Sequence, residues 1–110
     1  MINVEFLYFN ECPGHEQAYA LLQEVLEQED LDVEVSRIEV AGPEVVEEHR
    51  FMGSPSIRIN GVDLEGREAE ETQGYGWRCR YYQQSEPGQP KGVPARELIR
   101  ERLRERAEQV

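Results

Sequence analysis

The sequence has few cysteines, few basic residues and no long apolar run. Its only cysteines are Cys12 and Cys79, too few for a disulfide-stapled secreted scaffold, and two such thiols indicate reactive or metal-binding groups. No segment reaches the roughly 18 apolar residues of a membrane-spanning helix. The first ten residues lack the basic start and small-residue cleavage site of a signal peptide. We therefore expect a cytoplasmic protein that does not engage a membrane.

Basic side chains are also scarce relative to acidic ones. Twelve Lys and Arg residues stand against 23 Asp and Glu residues, which gives a formal net charge of −11. This charge repels phosphate backbones, so we expect no nucleic-acid partner. A length of 110 residues with 38% hydrophobic content supports one modest core. We therefore predict a single domain over residues 1–110.

Hydrophobic periodicity predicts an α/β fold with the element order β-α-β-α-β-β-α. The strand, helix, strand start predicts that the first two strands are parallel. We expect a four-stranded mixed sheet in the order second, first, third, fourth, with the third strand antiparallel to the first. The segment 62–77 is long for a hairpin loop and is expected to be functional or to carry some structure of its own. The predicted strands are 2–9, 33–40, 56–60 and 78–83, and the predicted helices are 15–28, 43–49 and 94–108.

The turn between the first strand and the first helix carries a candidate nucleophile. Cys12 precedes Pro13 and Gly14 at the expected helix N-terminus, where unpaired N–H groups stabilise an anion. We therefore expect the Cys12 pKa to lie below the usual value of about 8.5, so that the reactive thiolate forms near neutral pH. The alternative is an inert core cysteine.

His15 is the second candidate at this turn, one helical turn beyond Cys12. Its imidazole could stabilise the thiolate, accept its proton or bind a metal beside the sulfur. The alternative is a histidine that simply faces solvent. His15 cannot form a disulfide, so dithiol exchange within the Cys12–His15 motif is excluded.

Two short motifs together resemble the thioredoxin-like superfamily. Cys12-Pro13-Gly14-His15 is similar to its Cys-x-x-Cys motif with histidine in the second cysteine's place, and Gly53-Ser54-Pro55-Ser56-Ile57 resembles its cis-proline segment. CPGHEQA, FMGSPSIRINGVDLE and YGWRCRYY are more narrowly similar to small bacterial thioredoxin-like proteins, some labelled alkylmercury lyase-like. The resemblance covers nearly the whole chain and implies a thioredoxin fold. That family's activity is poorly defined, so its label does not specify a substrate.

The resemblance also implies a substrate site around the Cys12 sulfur. A cis peptide bond before Pro55 would expose the Ser54 backbone to an extended ligand, which could pair with it. Pro13 and Gly14 would border the same site and leave the sulfur uncrowded. The alternative for Pro55 is an ordinary trans proline in a loop.

Cys79 is the third candidate catalytic residue, after Cys12 and His15. If strand 78–83 pairs antiparallel with strand 56–60, Cys79 lies about 10 Å from the Cys12 end of the sheet. A disulfide needs Cα atoms within about 7 Å. We therefore favour a buried structural thiol, and expect oxidised Cys12 to persist as sulfenic acid or as an adduct that glutathione resolves. A shift of register caused by segment 62–77 would leave a direct Cys12–Cys79 disulfide open.

Three functions fit these residues. The first is a monothiol redox protein that uses Cys12 for thiol–disulfide exchange with a small thiol such as glutathione or with a protein. The second is a module that captures a soft metal such as Hg(II), Cu(I) or Zn through Cys12 with His15 or Cys79. The third is a non-catalytic interaction scaffold. No dinucleotide, phosphate-loop or metalloprotease motif occurs, so we expect no cofactor and no closed resident metal site.

Overall fold

A four-stranded mixed sheet organises the chain. The computed structural model describes residues 1–108, with strands β1 (Ile2–Tyr8), β2 (Val33–Glu39), β3 (Ser56–Ile59) and β4 (Val62–Asp63) in the order β2-β1-β3-β4. β1 is central, parallel to β2 and antiparallel to β3. The predicted order and directions of the first three strands are confirmed, because a strand, helix, strand unit returns the chain parallel to itself.

The two faces of the sheet bury different clusters. Val4 and Phe6 of β1 point to one face, which is covered by helices α1 (His15–Glu29) and α3 (Arg96–Glu108). Leu7 and Phe9 point to the opposite face, because successive side chains of a strand alternate. There they pack with Phe51 and with Cys12 itself. Cys12 therefore lies in the hydrophobic cluster that has no long helix over it.

The fourth strand lies elsewhere than predicted. Residues 78–83 do not form a strand, and β4 is the two-residue segment Val62–Asp63 directly after the turn at Asn60 and Gly61. Asn-Gly favours a tight hairpin because both residues accept a positive φ, and here their φ angles are 51° and 81°. Because residues 62 and 63 pair with β3 directly after this turn, they form the fourth strand of the sheet in place of residues 78–83.

One helical prediction is wrong, and the expectation for segment 62–77 is confirmed. The predicted helix 43–49 is only a 3-10 turn, Pro43–Val45, followed by turns that end at Arg50 with φ 54°. The 62–77 segment does carry structure of its own, since it contains β4 and the short helix α2 (Ala69–Gln73). Within residues 1–108, none of the helices is long and apolar enough to cross a bilayer.

Candidate thiol site

The turn after β1 places Cys12 just outside helix α1. The Cys12 N–H donates to the Phe9 carbonyl at 3.2 Å, and the helix begins at His15 after Gly14, whose φ is 90°. Cys12 therefore precedes the residue that caps the helix by two positions. Pro13 is likewise outside the helix, and it is exposed while Gly14 is buried.

The Cys12 thiol is buried and neutral. Cys12 is only 3% exposed. Its Sγ donates to the Ser54 carbonyl at 3.1 Å and lies 3.4 Å from the Pro13 carbonyl. Burial raises the Cys12 pKa to about 11, and the neighbouring Cys79 thiol adds to the rise. The predicted low pKa is wrong, because desolvation penalises the charged thiolate more than the nearby helix end favours it.

Ser54 and Pro55 lie beside this sulfur, as predicted. The Ser54–Pro55 peptide bond is cis, and both residues are buried. The Ser54 backbone is already paired, because its N–H donates to the Arg78 carbonyl at 2.8 Å and its carbonyl accepts the Arg80 N–H at 2.8 Å. Segment 78–80 of the chain thus already forms the Ser54 backbone hydrogen bonds that, by the resemblance, an extended ligand would form.

This pairing brings Cys79 to Cys12. Cys79 is the direct partner of Ser54 in a parallel bridge, and it packs against the buried cluster that contains Cys12. Both cysteines are free, Cys12 buried and Cys79 half-buried. The predicted separation of about 10 Å is wrong, because it assumed that residues 78–83 pair antiparallel with β3.

Gly53 allows the two segments to approach. Its φ is 126°, and a Cβ built on it would lie 3.0 Å from the Arg80 Cβ and 3.1 Å from the Arg78 carbonyl oxygen. A larger residue would be strained by its own backbone and would push the 78–80 segment away from Ser54. The glycine of the Gly53-Ser54-Pro55 motif thus serves the internal pairing that places Cys79.

A buried ionic cluster, which sequence reasoning missed, anchors the same segment. The Arg80 guanidinium binds both carboxylate oxygens of Asp63 at 2.6 and 2.5 Å and Glu65 at 2.8 Å. The Arg80 and Asp63 side chains are only 2% and 1% exposed, and the Tyr82 ring lies 4.4 Å from the guanidinium carbon. The available signal was an arginine between Cys79 and Tyr81 in RCRYY, since a buried arginine requires carboxylate partners.

A second segment covers the site from the C-terminal side. A Cβ built on Gly92 would lie 3.3 Å from the Pro55 Cδ and 3.9 Å from the Pro13 carbonyl oxygen. The Tyr82 N–H donates to the Lys91 carbonyl at 3.0 Å, and the Tyr82 hydroxyl donates to the Pro55 carbonyl at 2.9 Å. Residues 90–92 therefore lie across both the Cys12 turn and Pro55.

His15 is turned toward the sheet. It is 8% exposed, its ring is stacked on Tyr8 with centroids 4.9 Å apart, and its Nδ1 atom is buried without a hydrogen-bond partner. Across residues 1–108, no hydrogen bond joins this imidazole to the Cys12 sulfur. The structure therefore brings together Cys12 and Cys79, whereas the ring of His15 is held by Tyr8.

An open concavity of about 410 Å³ is lined by residues 10–17, which include Cys12. A second of about 410 Å³ is lined by Pro43, Glu44, Val46, Glu47, Tyr75, Gly76 and Trp77. Trp77 stacks on Phe9 at 4.3 Å within the cluster that contains both cysteines. In the part of the chain that the structure describes, no group of three or more His, Cys, Asp or Glu side chains could hold a metal ion.

Comparison of the chain with family models, curated proteins and solved structures gives no match. The fold and the site define an α/β protein in which two free cysteines from distant parts of the chain both lie beside Ser54. The family resemblance read from the motifs remains a prediction.

Proposed function

We propose that this protein is a thioredoxin-like thiol–disulfide redox protein whose reactive groups are Cys12 and Cys79. The sheet order, the turn that carries Cys12 into α1 and the position of Pro55 before β3 agree with the fold that the resemblance implies. Such a fold hosts many activities, so the functional argument depends on the thiols themselves.

The contact of both cysteines with Ser54 carries the proposal. The Cys12 thiol donates to the Ser54 carbonyl at 3.1 Å, Cys79 is the bridge partner of Ser54, and neither cysteine is in a disulfide. Thiol–disulfide exchange requires a second thiol to displace the substrate from the first, and a neighbouring thiol does this without a bimolecular step. Cys79 would thus replace glutathione as the resolving thiol expected from the sequence.

Oxidation with a small disulfide tests this function. The protein is incubated with hydroxyethyl disulfide, and the products are measured by mass spectrometry before and after alkylation. We expect an intramolecular Cys12–Cys79 disulfide, which removes two hydrogens and protects both cysteines from alkylation. Cys12→Ser and Cys79→Ser, the matched controls, should retain an adduct on the remaining thiol or stay unmodified. A wild-type protein that never forms the internal disulfide would contradict the proposal and favour the interaction scaffold.

The same contact supports soft-metal capture as a second candidate function. Two thiolates suit Hg(II) or Cu(I), since soft ions prefer sulfur ligands. The test is titration with Hg(II) of wild type, Cys12→Ser and Cys79→Ser. A loss of affinity in both variants supports binding between the two thiols, whereas equal affinity in wild type and Cys12→Ser rules out Cys12 as a ligand.

The proposed partners follow from charge and redox environment. A cytoplasmic location would keep both thiols reduced between reaction cycles, with a small thiol such as glutathione or a protein thiol as the reductant. The net charge of −11 disfavours nucleic acid and anionic membrane surfaces as partners.

A further inference from the structure

We infer that Cys79, rather than Cys12, is the thiol that attacks the external substrate, and that this substrate is a low-molecular-weight disulfide. Cys12 then serves as the internal thiol that closes the disulfide. This inference rests on the proposed redox function and reverses the order of attack that the Cys12-Pro13-Gly14-His15 motif suggests.

Accessibility distinguishes the two sulfurs. Cys12 is 3% exposed and its Sγ donates to the Ser54 carbonyl, while Cys79 is half-buried and flanked by the exposed Arg78. A substrate disulfide must bring one of its sulfur atoms into line with the attacking thiolate. Cys79, the more exposed residue of the two, can therefore be approached with less movement of the chain than Cys12.

Ionisation reinforces this order. Burial raises the Cys12 pKa to about 11, so its thiolate is scarce at neutral pH. The second exchange, in which Cys12 attacks the mixed disulfide, can proceed although the Cys12 thiolate is scarce. The Cys79 mixed disulfide lies next to Cys12, and the departing thiolate can take up the proton that Cys12 releases. The first, bimolecular attack has no such advantage.

The paired state of Ser54 indicates the size of the substrate. An extended polypeptide would need the Ser54 N–H and carbonyl, and these already bond to Arg78 and Arg80. Residues 90–92 also lie across Pro55 and the Cys12 turn. A small disulfide needs no backbone ladder and can reach Cys79 while both internal segments stay in place.

The reaction balances as two exchanges. The Cys79 thiolate attacks one sulfur of a disulfide RSSR, the S–S bond breaks, and RS⁻ leaves and is protonated to RSH. Cys12 then attacks the Cys79 sulfur of the mixed disulfide, and a second RSH leaves with the Cys12 proton. The two protein thiols lose two electrons to form one disulfide, and RSSR gains them to form two RSH molecules.

The order is tested with hydroxyethyl disulfide at neutral pH, with acid quenching and peptide mapping at early times. We expect the first adduct on Cys79 in wild type. Cys12→Ser should react at the wild-type initial rate and stop as a stable Cys79 adduct, while Cys79→Ser should react at least about tenfold more slowly. Cys12→Ala, with circular dichroism as a check of folding, provides a second variant if the serine disturbs the apolar cluster.

Other outcomes separate the two proposals. An early adduct on Cys12, or a Cys79→Ser protein that reacts at the wild-type rate, would overturn the inference even if the internal disulfide forms. A Cys79 adduct in wild type that never proceeds to the disulfide would support the order of attack and contradict the redox function. Equal or faster attack on a disulfide-bonded unfolded polypeptide would overturn the assignment to small substrates.

Discussion

At the scale of the residue, burial decides the state of the Cys12 thiol. The sulfur sits with Leu7, Phe9 and Phe51 in an apolar cluster and donates to a carbonyl. A thiolate in this position would lose its hydration and gain no cation in exchange. The turn before α1 therefore holds a protonated thiol, and its position near a helix end is not sufficient to ionise it.

The pH dependence of Cys12 alkylation tests this state. In Cys79→Ser, iodoacetamide labelling of Cys12 should become faster with rising pH well beyond the usual thiol value of about 8.5, because burial raises its pKa toward about 11. The rate is measured by mass spectrometry, with Cys12→Ser as the control for the labelling of Cys79. A plateau reached below pH 8.5 would show that the helix end outweighs desolvation.

At the scale of the element, segment 78–80, which follows α2, determines where Cys79 lies. Residues 78–80 pair with Ser54 through two backbone hydrogen bonds, and Arg80 ties them to Asp63 of β4 and to Glu65. The short hairpin of β3 and β4 thus provides the carboxylates that hold the loop bearing Cys79. The position of Cys79 thus depends on the Arg80–Asp63 ion pair, whose two residues are 17 apart in the sequence.

Loss of the Arg80 anchor should be costly. Arg80→Ala leaves the Asp63 carboxylate buried and unpaired, and we expect the free energy of unfolding to fall by about 3–5 kcal/mol. Urea denaturation measures this change, with the exposed Arg67→Ala as the matched control, expected to stay within about 0.5 kcal/mol of wild type. The double variant Arg80→Met with Asp63→Leu should recover much of the loss. A single variant as stable as wild type would show that the cluster does not hold the loop.

At the scale of the whole molecule, net charge should influence how fast the small disulfides of the proposed reaction approach the protein. The net charge of −11 creates a negative field that repels anions as they approach. Arg78, the exposed cation next to Cys79, offsets only part of this field. The anionic disulfide of glutathione should therefore meet the protein less often than a cationic disulfide does.

Competition between charged disulfides tests the effect. At low ionic strength, cystamine should react with the thiol pair several-fold faster than hydroxyethyl disulfide, and oxidised glutathione should be slowest. These differences should shrink toward about 1 M salt, where the screening length falls to about 3 Å. Initial rates are compared after correction for the intrinsic reactivity of each disulfide with a free model thiol. A preference for oxidised glutathione that persists in salt would indicate a specific anion contact, with Arg78 as the residue to replace.

The sequence alone is sufficient to predict the α/β class and the order and directions of the first three strands. These follow from local periodicity and from the few ways in which a strand, helix, strand unit can return to its sheet. The proximity of Cys12 to Pro55 was implied by the resemblance of their two motifs to the thioredoxin-like superfamily. The sequence also identified both cysteines as candidate reactive residues, because thiols are rare in the chain and fall beside recognisable motifs.

The position of Cys79 relative to Cys12, and the burial of Cys12, can be seen in the tertiary structure alone. The Asn60-Gly61 turn closes β4 early, the Gly53 position accepts segment 78–80, and the Arg80 cluster fixes it. These contacts join residues far apart in sequence, so no local pattern reports them, and a register assumed for residues 78–83 placed Cys79 at the wrong end of the sheet. Cys12 is likewise buried by residues that are distant in the sequence, so its raised pKa follows from the packing and not from the local sequence.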